Sequence, residues 1–285
     1  MIFALIQQEE FNPTLRIIFL AIFFIGMATV VISRFYMYFE QLYVNRYKKP
    51  FFVDYFLIRQ KITSEQRSIL KRDFSFYNSL AQKDQARFEH RLAAFMKRKT
   101  FVGREDLEVT QDMKILISAT AVMLTLGFRN YLINIISVII IYPKEFFSSV
   151  NETHHKGEFN PQLSAIVLSW QHFKEGFDVA NDNLNLGIHE FAHAIHFNSM
   201  KQRDISSILF KDSFMELTDL LSENESLRKK LITSKYFRAY AYTNQFEFLA
   251  VIIESFIETP SDFRSQFPDI YKKTKQMLNF NFAGY

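Results

Sequence analysis

A chain of 285 residues, 48% hydrophobic and 16% aromatic, has ample material for one packed domain with an appendage. Thirty-three phenylalanines against seven glycines and six prolines exclude a turn-rich all-β fold, and the absence of cysteine excludes disulfides and thiolate metal sites. The net charge of +4 sits in short clusters such as Lys97-Arg98-Lys99 and Lys229-Lys230, which read as solvated faces or weak attraction to anionic lipid; no nucleic-acid-binding pattern accompanies them, so direct nucleic acid binding is not expected.

The first stretch to matter is Ile17 to Ser33, an uncharged apolar run bracketed by Arg16 and Arg34. It is long enough for a membrane span of about 17–25 residues. A cleaved signal peptide would need a basic start and a small-residue cleavage site, but Glu9 and Glu10 precede the run and no A-x-A follows it. Residues 1–45 are therefore expected to form an N-terminal membrane anchor. Arg34, Arg46, Lys48 and Lys49 follow the run, and only Arg16 precedes it closely. The positive-inside rule then predicts a single-pass membrane protein with its remaining domain, 46–285, in the cytoplasm.

Residues 51–100 read as a helical lead-in. Thr63 and Gln66 suit a capping box for a helix to about Asp73, and Phe88, Leu92 and Phe95 mark a second helix from about Lys83 to Lys97. The part that should carry chemistry is 101–285. Thr110 is a candidate N-cap for a buried helix over 111–126, stopped by Gly127. Tyr131 to Tyr142 is β-branched, ends at Pro143 and reads as a central strand, with Leu163 to Ser169 as a second strand closed by Trp170. Asp182 or Asn183 can cap the next helix. One or two amphipathic helices fill 204–234. An aromatic stretch over 236–242 leads into a helix from about Gln245 to Ile257 that Pro260 ends, and a last helix runs from about Pro268 to Leu278. The sum is an α+β fold, mostly helical with a small sheet.

The chemistry centres on His189-Glu190-Phe191-Ala192-His193, the H-E-x-x-H pattern, expected by chance about 0.01 times in a chain of this composition. On a helix, residues four apart stack on one face, so two imidazoles can grip one metal ion, while the neighbouring Glu190 can act on a water as general base. A catalytic zinc site needs a third protein ligand and an open fourth position. His196 shares the register of His189 and His193, but seven residues separate it from His189, about 10 Å along the axis, too far for one ion. It is better placed beside the site than in it. The remaining candidates are Glu247, Glu254 and Glu258, with Glu247 and Glu254 on one face of an apolar helix, where a carboxylate needs a metal or a basic partner. Spacing alone leaves Glu247 and Glu254 equal.

The chain resembles the MtfA (Mlc titration factor A) family of zinc metallopeptidases. The resemblance is carried by Phe101 to Gly103, LEVT at 107–110, Tyr142-Pro143, VLSW at 167–170, LGIHEFAH at 186–193 and AYAYTNQFEFLAVIIESF at 239–256. It implies a zincin-like (gluzincin) metallopeptidase domain with one Zn2+, held by His189, His193 and Glu247, and places Glu254 behind the ligands. It also implies that Tyr240 donates to the oxyanion, with Tyr242 as the fallback. The sequence departs from the family where relatives often carry an aspartate and this chain has His196, where relatives often carry an acidic residue and this chain has Asn244, and in its N-terminal apolar segment. Two functions follow. The first is peptide-bond hydrolysis, with a peptide or protein substrate pairing on the edge of strand 163–169. The second is regulatory binding, because the family's namesake sequesters a transcriptional regulator.

Overall fold

A computed structural model of the chain describes residues 12–54, 59–148, 153–178 and 183–285. It falls into two units, Met1–Phe51 and Phe52–Tyr285.

Among the described residues the first unit holds one helix, α1 (Pro13–Tyr47). Asn12 caps it by accepting from the Thr14 amide at 2.9 Å, proline occupies its first position, and Lys48 ends it in the left-handed region. The apolar run over 17–33 is thus part of a helix of 35 residues, about 52 Å long at 1.5 Å per residue. Among the described residues α1 is the one helix long and apolar enough to cross a membrane, and none of its apolar window is buried.

The second unit opens with α2 (Ser64–Asp73), α3 (Ser75–Ser79) and α4 (Gln82–Arg98). The capping box is present: the Gln66 amide donates to Thr63 Oγ1 and the Thr63 amide to Gln66 Oε1. α2 and α4 both lie against α5 (Gln111–Leu124), which Thr110 caps and which is buried on every face from Ile115 onward. α5 stops at Leu124, before the expected Leu126, where the Thr125 backbone leaves the helical region at φ −105° and ψ 12°.

A four-stranded sheet covers the other side of the core in the order β1 (Thr100–Gly103), β2 (Val138–Tyr142), β6 (Ala165–Ser169), β5 (Gly157–Asn160). The first three strands are parallel, and β5 is antiparallel to β6. A separate hairpin pairs β3 (Phe146–Ser148) with β4 (Thr153–His155).

Three expectations are corrected here. Only 138–142 of the predicted strand 131–142 is a strand. Ile133 adopts a positive φ of 47°, and the buried Lys99 amino group donates to the carbonyls of Ile133 and Ile136. An apolar loop is stable there because a side chain satisfies its carbonyls. The second strand is shorter than expected, since Ser164 is also left-handed, and Trp170 starts a helix, α6 (Trp170–Asp178). More consequentially, β6 is flanked by β2 and β5, so the strand at 163–169 has no edge for a peptide. The outer antiparallel strand is β5.

The rest is helical: α7 (Leu186–Lys201), α8 (Ile205–Glu223), α9 (Glu225–Ser234), a 3-10 turn at Ala239–Tyr242, α10 (Gln245–Glu258), α11 (Pro260–Gln266) and α12 (Pro268–Met277). α7 lies between α5, α8, α10 and the β5–β6 side of the sheet. That central place explains why it lacks a clear polar face: it is buried from Gly187 to Ala192 without interruption.

Candidate metal centre

α7 begins at Leu186 because Asn185 caps it, its Oδ1 accepting from the Ile188 amide at 3.1 Å. Of the expected caps, Asn183 does not serve, sitting at φ 56° with its carbonyl accepting from Arg238, and Asp182 lies outside the described residues. Gly187 brings α7 close to α6, since a Cβ there would lie 2.5 Å from the Phe173 ring.

His189 and His193 stand one turn apart with their rings nearly perpendicular, 87°, and their Nε2 atoms 3.0 Å apart. Glu247 enters from the first turn of α10. Its Oε2 lies 3.0 Å from His189 Nε2 and 3.5 Å from His193 Nε2. Asn244 caps this turn by accepting from the Phe246 and Glu247 amides. Among the described residues, His189, His193 and Glu247 form the one group whose ligand atoms all fall within 4.8 Å of one another.

Two nitrogens and an oxygen each about 2.0–2.1 Å from a tetrahedral zinc lie about 3.3 Å apart, a value that falls between the separations of 3.0, 3.0 and 3.5 Å seen here. The residues fit a metal of that kind. The electrostatics agree. Burial alone would lower the His189 pKa, but hydrogen bonds to Glu247 and Glu254 raise it to about 9. Burial would raise Glu247, but the two histidines hold it far below the usual carboxylate range. A positive charge is favoured at the point where the three atoms meet.

Glu254, two turns along α10, is fully buried and lies on the opposite side of the same ring, its Oε1 2.5 Å from His189 Nδ1. The two acids that spacing could not separate thus take different nitrogens of His189. Glu258 is outside the group. His196 is also outside it, packed among Phe210, Phe214 and Phe246 with ring centroids 4.9–6.2 Å away. Burial there, with His193 nearby, pushes it down to about 4, so it is a neutral part of the core.

Glu190 is buried beside the cluster. Burial raises its pKa, an effect that His189, His193 and a hydrogen bond with the Phe159 backbone partly offset. β5 presses on it through Gly157, where a Cβ would stand 2.9 Å from Glu190 Cγ and Oε1. Tyr240 is half exposed, its ring 6.0 Å from that of His189, and burial together with the Glu247 carboxylate pushes its phenol up to about 12. Tyr242 points elsewhere, donating to Leu231 O at 2.8 Å. A cavity of about 390 Å³ opens onto these groups, lined by Gly157, Leu186, His189, Glu190, Arg238 and Tyr240 among others.

Gly157 and Arg238 were not singled out from the sequence. Gly157 is one of only seven glycines, which was a usable signal. The demand of a buried carboxylate for a basic partner pointed to an arginine or histidine, though not to Arg238 in particular.

An uncharacterized protein of Synechocystis sp., slr2042, is 21% identical over 230 residues, covering 76% of this chain and 84% of its own length. The Mlc titration factor A proteins of Yersinia pestis and Yersinia pseudotuberculosis are each 22% identical over 208 residues, 68% of this chain and 76% of theirs. Residues 48–279, nearly the whole second unit with its His-His-Glu group, match one family along their length, and the chain belongs to that family, the glucose-regulated metallo-peptidases M90.

Proposed function

We propose that the protein is a zinc-dependent peptidase in which His189, His193 and Glu247 hold the ion. The observation that carries this reading is the convergence of those three ligand atoms beside Glu190 and an open cavity. Zinc, when bound, lowers the pKa of water and polarises a carbonyl. Glu190 takes the proton of the attacking water and returns it to the leaving amine. Tyr240 donates its phenolic proton to the oxygen that becomes negative, a role suited to a phenol that stays protonated. The substrate is a peptide or protein segment that lies extended along β5, the outer strand nearest Glu190. α1 anchors the chain in a membrane as a single span, and Arg34, Arg46, Lys48 and Lys49 put the catalytic domain on the cytoplasmic side.

The test is elemental analysis of the purified chain alongside a peptide-cleavage assay. About one zinc per chain is expected, with cleavage removed by a chelator and restored by zinc. A metal-free protein that still cuts peptides would end this reading.

The role given to Glu190 makes Gly157 critical. Gly157→Val should retain zinc, because the atoms nearest to a Cβ there belong to Leu186 and Glu190. It should displace the Glu190 carboxylate and lower kcat/KM about 10²-fold, the effect of roughly an ångström of misplacement. Metal content and kcat/KM measured on the same sample check this.

A second reading is favoured by the name of the Yersinia relatives, which describes titration of Mlc. In it the protein binds a transcriptional regulator and has little or no peptidase activity. Capture of such a regulator that is unaffected by substitution of Glu247, with no cleavage of any peptide, would select it.

A further inference from the structure

We propose that Arg238 is a positioning residue of the metal centre, fixing the orientation of His189 through Glu254 and by its own contact with the far side of the ring; this rests on the metallopeptidase reading above. Glu254 is fully buried and receives four hydrogen-bond donors. One is His189 Nδ1 at 2.5 Å and one is the Asn185 amide at 3.2 Å. The other two are the Arg238 nitrogens, Nη2 to Oε1 at 2.7 Å and Nη1 to Oε2 at 3.0 Å. Arginine presents two parallel N–H groups in a planar fork that matches both carboxylate oxygens, which lysine cannot do.

The consequence runs through the imidazole. A ring that donates from Nδ1 to a fixed carboxylate presents the Nε2 lone pair in a fixed direction. In this protein that direction is toward Glu247 and His193. Arg238 determines where the carboxylate sits and so how the ring is turned. Its Nη2 also lies 3.1 Å from His189 Nδ1, so the guanidinium braces the ring directly as well as through Glu254, on the side of the imidazole away from Nε2.

Arg238 also ties together the segments that make the centre. Its Nη1 donates to the Asn183 carbonyl at 2.8 Å, fixing the approach to α7. It lies two residues before Tyr240, so the segment that carries the phenol is bolted to α10 at Glu254. The guanidinium remains 26% exposed, at the wall of the cavity that opens onto His189. A small cation in solution can therefore reach its place.

The experiment uses the full-length chain in detergent micelles, with zinc affinity read by chelator competition and Co2+ as a spectroscopic probe. Arg238→Ala should weaken zinc binding about 10–100-fold and change the visible spectrum of bound Co2+. Methylguanidinium added to Arg238→Ala should recover part of both, and methylammonium should not. Arg238→Lys, which keeps charge and length, should behave like Arg238→Ala, and it supplies the same readings if the alanine variant does not fold. Zinc affinity within about two-fold of wild type in both variants overturns the proposal, including the case where only KM rises, which would make Arg238 a substrate contact. A loss of affinity that methylguanidinium leaves unchanged also overturns it, since that is merely structural damage. Wild-type protein that takes up neither Zn2+ nor Co2+ removes the metallopeptidase reading itself, a result distinct from these.

Discussion

Protein carrying Glu190→Gln should hold as much zinc as the wild type and cleave peptides about 10²–10⁴-fold more slowly, the usual contribution of a positioned general base. The substitution changes no volume and leaves the three ligand atoms alone, because Glu190 is not in the converging group. Gln also fits the buried space below β5 that Gly157 leaves for the carboxylate. What it lacks is the capacity to accept a proton from water and pass it to the leaving amine. Metal analysis and kcat/KM on one preparation separate the two quantities. Cleavage at the wild-type rate would remove Glu190 from the reaction.

The second large effect is expected at Glu247→Ala. A zinc site with a full set of ligands is worth about 10–16 kcal/mol, so one ligand of four carries roughly 3–4 kcal/mol, or about 10²–10³-fold in affinity. The loss should be near the top of that range. Glu247 Oε2 is the contact shared by both histidine Nε2 atoms, so its removal leaves two rings facing one another without their common partner. Chelator competition measures the shift, and cleavage should disappear at zinc concentrations that saturate the wild type. Zinc affinity that is unchanged would show that another group completes the site and would move the third ligand elsewhere.

How much of this was legible in the sequence depended on the range of the interaction involved. Helices declared by local chemistry were readable to within a residue or two: the Thr63–Gln66 box and the Thr110 cap are contacts three residues apart. The spacing of His189, Glu190 and His193 is fixed by the helix itself. The acid that joins His189 and His193 was narrowed to acids on one helix and no further by spacing, because the choice between Glu247 and Glu254 depends on where α10 crosses α7. That is a tertiary fact, and only the family resemblance favoured Glu247. The strand errors have a similar origin. Ile133 and Ile136 are as buried as any strand residue, yet their backbone is a loop that Lys99, thirty-odd positions earlier, makes affordable. β5 is four residues, Gly-Glu-Phe-Asn, with no apolar run to announce it. Its place as the outer strand follows from pairing with β6, which hydropathy does not encode.

The outer strand has one more implication. β5 offers four residues of backbone, about 13 Å of track, and a guest adding to it must be drawn out straight with alternate side chains turned toward and away from the host. A tightly folded protein cannot present such a stretch without first opening part of its own structure, an event whose frequency is set by the stability of that region. Susceptibility among cellular proteins would then be ranked by how readily a tail or hinge comes loose, more than by the identity of the residues flanking the scissile bond.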